Sequence, residues 1–275
     1  MYYCAQVIAE TGAECALFGI DTVPAGSNAT RCVSLESCLS GASAVVLPVP
    51  LSRDGINLAI SDTPLKLYDI FANIPKETMV FAGAVSEKVR SIAEKFNISV
   101  WDYMNDEVLA EKNAYATAEG AIMLMMQNSR GTVFGKKCLV SGYGRIGHYT
   151  AKLLGNFGAK VTVFARRRII GVKAEYDGFS AISADELSDN IQDYDFIINT
   201  VPAEVFTEKE ASKMSSNQKY IELASAPYGI SRKIADRFNI EIIDGSALPS
   251  KYCPADAGKY IAEALLGEFE RSGLI

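Results

Sequence analysis

Residues 136–168 read KKCLVSGYGRIGHYTAKLLGNFGAKVTVFARRR. The apolar run Cys138, Leu139 and Val140 leads into Gly142-Tyr143-Gly144-Arg145-Ile146-Gly147. Apolar residues then recur at Ile146, Tyr149, Leu153, Leu154 and Phe157, Gly158 stops that pattern, and a second strand-like run fills 160–165. This spacing predicts strand, tight turn, amphipathic helix and strand, with a G-x-G-x-x-G fingerprint at the turn. Gly142 permits the turn, Gly144 lets a pyrophosphate approach the backbone, and Gly147 lets helix and strand pack closely. The helix start offers its N–H groups to an anion. The stretch therefore implies a dinucleotide site formed by Gly142, Tyr143, Gly144, Arg145, Ile146 and Gly147.

The end of the second strand selects the dinucleotide. An acidic residue there would accept from the ribose 2′-OH of NAD, but this chain reads Ala165-Arg166-Arg167-Arg168. Guanidinium groups suit a 2′-phosphate, which favours NADP; the competing explanation is a solvated basic face. Downstream, the pattern predicts a helix over 183–190 with the capping sequence Ser183-x-x-Glu186, strands over 196–199, 219–223 and 240–243, and a helix near 231–238. Thr200, Val201 and Pro202 follow one of these strands and Ala224 and Ser225 another, at the carboxyl edge where a dinucleotide crosses a six-stranded doubly wound sheet.

The chain has 275 residues, 49% hydrophobic and 22% charged, with net charge −6. Those values describe a folded globular protein and disfavour nucleic acid or an anionic membrane as a partner. Six scattered cysteines without a C-x-x-C pair, and His148 as the one histidine, provide neither a disulfide framework nor a metal site. The lack of a leader pattern points to the cytoplasm, with reduced thiols. Cys253 lies in a Pro- and Gly-punctuated segment without an evident base and reads as inert. His148 follows the last fingerprint glycine, where packing or solvent exposure fits better than proton abstraction.

Upstream, the pattern predicts a helix over 1–11, strands over 15–20, 44–48, 79–82 and 98–101, and helices over 34–40, 65–72 and 86–96. The chain thus begins inside an α/β unit, and a strand with its loop is expected before Met1. The alternation gives an α/β fold of two doubly wound parallel-sheet domains. Residues 1–112 form a flavodoxin-like substrate-side domain, and 113–258 a dinucleotide-binding domain. Residues 114–127, apolar nearly all round, form a buried linker helix between them. Asn113, Thr117 and Glu119 on that helix either face a cleft or find a polar partner. Ser52, Arg53 and Asp54 follow the strand at 44–48 and either touch substrate or form a plain Pro-rich turn. The segment 245–258 reads as a long functional loop before a last helix over 259–271.

The motifs NAYATAEGA (113–121), GYGRIG, FARRR, INTVP (198–202), IELASAP (221–227), LPSKYCPADAG (248–258) and LPVPLSRDG (47–55) together resemble the family of the dipicolinate synthase A subunit over most of the chain. The resemblance implies the two-domain architecture of D-2-hydroxyacid dehydrogenases, with a Rossmann NADP-binding domain and a last helix that returns to the first domain. It further implies oxidation of dihydrodipicolinate to dipicolinate with a flavoprotein-like B subunit, in the mother cell of a sporulating bacterium. Arg53 and Lys251 are then the cations for a small dicarboxylate. The chain departs from the family in its opening strand, at Tyr228 and in PADAG. Three readings stay open: this oxidoreductase, a 2-hydroxyacid dehydrogenase lacking a suitable histidine, or a nucleotide-binding assembly subunit. Association with further copies of the chain stays open too.

Overall fold

A computed structural model describes residues 1–59 and 65–275. The chain divides into two compact units, Met1–Lys112 with Pro254–Ile275, and Asn113–Cys253. In chain order the first unit holds α1 (Tyr2–Glu10), β1 (Cys15–Leu17), β2 (Ala29–Arg31), α2 (Leu35–Leu39), β3 (Ala44–Val46), α3 (Leu67–Asn73), β4 (Met79–Ala82), α4 (Glu87–Glu94) and β5 (Val100–Asp102). Helix α5 (Glu107–Gln127) follows. The second unit continues with β6 (Lys137–Ser141), α6 (Arg145–Asn156), β7 (Lys160–Phe164), α7 (Arg168–Tyr176), β8 (Ser180–Ile182), α8 (Ala184–Asn190), β9 (Phe196–Asn199), α9 (Glu208–Ala211), β10 (Lys219–Glu222), α10 (Arg232–Arg237), β11 (Ile242–Asp244) and α11 (Leu248–Tyr252). Helix α12 (Pro254–Arg271) belongs to the first unit.

Both units are α/β, and every strand ladder between named strands is parallel. The first unit's strands do not form one sheet, however: β3-β4-β5 form a central sheet and β1-β2 a separate pair. Strand β2 is the reason. Its Thr30 and Arg31 are exposed, so it has no apolar face to bury in a central layer. The central sheet is covered on both faces, as alternation along β4 requires. Val80 and Ala82 pack with Leu67, Ile70, Phe71 and Val89. Phe81 faces the other way, into Cys4, Ile261, Leu265 and Phe269 of α1 and α12. Those two helices meet closely, since a Cβ on Gly258 would lie 2.5 Å from Tyr3 Cβ.

In the second unit the six strands run β11-β10-β9-β6-β7-β8, the doubly wound order with its switch point between β6 and β9. Cys138 and Val140 of β6 face a layer built from α5 and α6, including Ile122, Met125, Ala151 and Leu154. Leu139 faces the opposite layer, with Leu187, Ile191, Phe206 and Tyr220. The helix α7 and strand β8 occupy a segment for which the sequence pattern predicts no element, because Gly171 and Gly178 interrupt its periodicity.

Phe81 is 1% exposed, and its ring meets those of Trp101 and Phe269 edge to face at 5.8 and 5.0 Å. Replacing Phe81 by Ala should cost about 3–5 kcal/mol of unfolding free energy in urea titrations. A loss below about 1 kcal/mol would show that α12 does not depend on this contact.

Candidate dinucleotide site

The fingerprint glycines have three separate jobs. Gly142 has φ of +89°, and its N–H donates to the Phe164 carbonyl at 3.0 Å. A Cβ there would lie 2.7 Å from both Thr200 Oγ1 and Val201 Cγ2. Thr200 is pinned in turn, with Oγ1 donating to the Ser141 carbonyl at 2.8 Å. A Cβ on Gly147 would lie 2.2 Å from the Gly142 carbonyl oxygen, so the first turn of α6 tolerates no side chain on that side. Gly144 differs: a Cβ there would meet nothing within 4 Å. It is the N-cap of α6, without a side-chain cap, and Arg145, Ile146 and Gly147 form the first turn behind it. Open space over an uncapped 12-residue helix suits a pyrophosphate, so the residues present fit the group. The Tyr143 hydroxyl donates to Asp177 Oδ2 at 2.7 Å. Burial first, and then the adjacent Asp177 carboxylate, push its phenol above the ordinary range. His148 stands beside it, Nδ1 3.7 Å from the same Asp177 oxygen.

At the second strand end, Ala165 is buried and Arg166, Arg167 and Arg168 are exposed. The Arg166 guanidinium donates to the Glu204 carbonyl. Arg167 is the N-cap of α7 and Arg168 its first residue, and the first turn contains no acid. Cations at a helix N-terminus oppose the helix dipole. Among the described residues neither has a carboxylate partner, so this end of α7 lacks the anion its charges call for.

The sequence pattern did not single out the polar hub on the other half of the sheet. Glu222, 4% exposed, ends β10 and accepts four hydrogen bonds. Oε1 takes Asn199 Nδ2 at 2.7 Å and Ala224 N–H at 3.0 Å, and Oε2 takes Gly229 N–H at 2.9 Å and the Tyr220 hydroxyl at 3.0 Å. The fully buried Asn199 also donates to the Val201 carbonyl at 3.0 Å. Thr200, Val201 and Pro202, and Ala224 and Ser225, are thereby tied together at the carboxyl edge. A polar residue terminating a buried strand, in FIIN and KYIE, was the available signal.

The remaining candidates are less alike than their sequence context suggests. Ser52 Oγ donates to the Asn57 carbonyl at 2.5 Å and accepts from Gly55 N–H at 2.9 Å. Asp54 accepts from the N–H groups of Ile56 and Asn57, both at 2.8 Å, and from Asn57 Nδ2 at 2.7 Å. Those bonds, Asn57's first, hold its carboxyl well below the usual carboxylate range. Ser52 and Asp54 thus build the turn, while Arg53 is exposed at its tip. On α5, Thr117 Oγ1 donates back to the Asn113 carbonyl at 2.7 Å. Asn113 is half-buried and Glu119 exposed. The helix is not buried all round: Tyr115, Met123 and Met126 are exposed with Glu119 along one stripe, at 43, 41 and 42% for the three apolar residues. It also starts at Glu107, ahead of the expected 114. The all-round apolar composition hides this stripe, since the exposed face is itself mostly apolar.

The closing segment 245–258 is largely helical, another departure from expectation. Pro249 lies in the first turn of α11 and Pro254 opens α12, positions where proline favours a helix. Leu248 is buried against Gly120, where a Cβ would lie 2.7 Å from Leu248 Cβ. Lys251 Nζ lies 3.9 Å from Asp244 Oδ2 at the end of β11. Cys253 caps α11. Among the described residues no group of three or more His, Cys, Asp or Glu side chains could hold a metal ion. No helix among them is long and apolar enough to cross a membrane.

Gly144 and Gly147 separate binding from folding. Gly144→Ala should melt like the parent chain and lose dinucleotide binding, whereas Gly147→Ala should lose about 1–3 kcal/mol of stability as well. Calorimetry and cofactor fluorescence on both variants check this; undiminished binding by Gly144→Ala would contradict the assignment of the open space.

Residues 1–104 match the family described as the N-terminal domain of the dipicolinate synthase A subunit. Residues 110–228 match the D-isomer specific 2-hydroxyacid dehydrogenase, NAD binding domain. The dipicolinate synthase A subunit of Bacillus subtilis (strain 168) is 27% identical over 262 residues, covering 94% of this chain and 88% of that protein. The crystal structure of the dipicolinate synthase A subunit from Bacillus halodurans superposes with a TM-score of 0.85 at 25% identity, covering 97% of this chain and 94% of that one. The crystal structure of its Bacillus subtilis counterpart gives 0.83 at 25% identity, covering 98% and 93%. The second unit is thus a domain for a nicotinamide dinucleotide, and along both units the chain is similar in sequence and fold to the dipicolinate synthase A subunit.

Proposed function

We propose that this chain binds NADP(H) and, with a flavoprotein-like B subunit, oxidises dihydrodipicolinate to dipicolinate in the cytoplasm of the mother cell of a sporulating bacterium. The observation that carries the cofactor choice is the start of α7, where Arg167 and Arg168 follow β7 with no acid in the first turn. A 2′-phosphate supplies the anion that this helix end lacks, and Arg166 stands beside it. The substrate and partner rest on the likeness to the dipicolinate synthase A subunit in both units.

The bound dinucleotide would accept or return a hydride. The chain's own residues position and hold: the α6 N-terminus takes the pyrophosphate, Gly144 keeps that approach clear, and Thr200, Val201, Pro202, Ala224 and Ser225 form the edge beyond it. Oxidation of a dihydropyridine ring to an aromatic one releases a hydride and a proton with aromatisation as the driving force, so positioning matters more than a strong base. This agrees with His148 lying beside Asp177 and Tyr143. A dicarboxylate substrate calls for cations, and Arg53 and Lys251 are our candidates, with Asp244 partly neutralising the latter. Asn113, Thr117 and Glu119 are weaker candidates, because Thr117 is bonded within its helix and Glu119 is exposed.

Adding dihydrodipicolinate and NADP to the purified chain, with and without the B subunit, should raise NADPH absorbance. No change in either mixture would reduce this protein to a nucleotide-binding assembly component. Replacing both Arg166 and Arg168 by Ala should weaken NADP binding at least about tenfold while changing NAD binding by less than about twofold. Equal losses for the two dinucleotides would reduce the arginine run to a solvated face.

A further inference from the structure

The carboxyl edge of the second sheet has one buried charge-bearing side chain at its centre, Glu222. Its Oε1 joins the two turns that leave neighbouring strands, through Asn199 Nδ2 at 2.7 Å from β9 and Ala224 N–H at 3.0 Å from β10. Its Oε2 holds the far end of the second turn, through Gly229 N–H at 2.9 Å. A third strand exit leans on the same residue, since Gly245 N–H after β11 donates to the Glu222 carbonyl at 2.9 Å. No slack is available: a Cβ on Gly229 would lie 2.4 Å from the Asn199 amide, and one on Gly245 would lie 2.8 Å from the Glu222 carbonyl oxygen.

We infer that Glu222 is the positioning residue for the half of the dinucleotide that lies over β9, β10 and β11. This deepens the dinucleotide reading of the second unit and rests on it. The doubly wound fold has two mononucleotide halves. The adenosine half lies over β7, where Arg166 to Arg168 stand, and makes no use of Glu222. The other half lies over turns that meet in two ways, through the Val205 and Phe206 N–H groups on the Gly229 carbonyl, both at 2.9 Å, and through the acceptor oxygens of this one carboxylate, which alone also reaches Asn199 and Ala224. Four donors converge on it, which matches the acceptor capacity of a carboxylate and leaves none for an amide. Glu222→Gln would aim an NH2 group at two N–H or O–H donors and push the turns apart.

Two ligands separate positioning from general stability: NADPH, which spans both halves, and adenosine 2′,5′-bisphosphate, which fills only the adenosine half. Glu222→Gln should weaken NADPH binding by the full chain about tenfold, equivalent to ~1.4 kcal/mol, and leave the bisphosphate within about twofold. Asn199→Ala cuts the same tie from the other turn while leaving the carboxylate in place, and should show the same pattern if Glu222→Gln fails to fold. Gln218→Ala is the control. Gln218 precedes β10 at the opposite edge, where its Nε2 donates to the Ile191 and Tyr194 carbonyls at 2.6 and 2.7 Å, so its loss should lower the melting midpoint without changing NADPH affinity. Unchanged NADPH binding by Glu222→Gln or Asn199→Ala, or equal loss of both ligands, would overturn the assignment. A parent chain that binds neither ligand would overturn the dinucleotide reading itself.

Discussion

The second unit depends on one approach too close for any side chain, that of Gly147 to the Gly142 carbonyl. Helix α6 meets the end of β6 with a would-be Cβ only 2.2 Å from that oxygen. The contact aims the helix N-terminus across the carboxyl edge, and Thr200 closes the other side of the turn against Ser141. The neighbouring strand ends thereby take fixed places around the helix start. Backbone N–H groups brought to an edge in this way recognise an anion through the helix start itself.

A second constraint operates beyond the switch point. The turns after β9 and β10 meet where the Val205 and Phe206 N–H groups donate to the Gly229 carbonyl, both at 2.9 Å, and burial would make any loose polar groups there costly, about 1–3 kcal/mol each. The fold collects them on Glu222, whose four partners come from two strands and one turn. Tyr220 shows how dry the place is: burial, and then the Glu222 charge, raise its phenol well above the usual value. Stability and site geometry use the same bonds here.

The legible parts of the chain were those with strong periodicity. The unit from β6 through β7 could be read from its glycines and its apolar stripe, and Met79–Ala82 from a short apolar run. Helix α7 was hidden by glycines inside it and after it, and α11 by a proline whose first-turn position is invisible until the helix is placed. The exposed stripe of α5 could not be separated from its buried face, since methionine and tyrosine look apolar on either side. Ser52 and Asp54 read equally as ligand contacts or as turn formers, because a turn-forming side chain and a binding one have the same composition; their bonds to Gly55, Ile56 and Asn57 show that they build the turn.

Sequence alone determined the α/β alternation, the dinucleotide turn and the missing acid after β7, because each depends on residue types at short, regular spacing. Tertiary structure decided what depends on residues distant in the chain. It divided the first unit's strands into two sheets, placed Arg167 and Arg168 on a helix start, and brought Asn199, Glu222 and Gly229 to one point. The physical reason is that a buried polar group is satisfied by whatever packing brings near, and no local pattern encodes that partner.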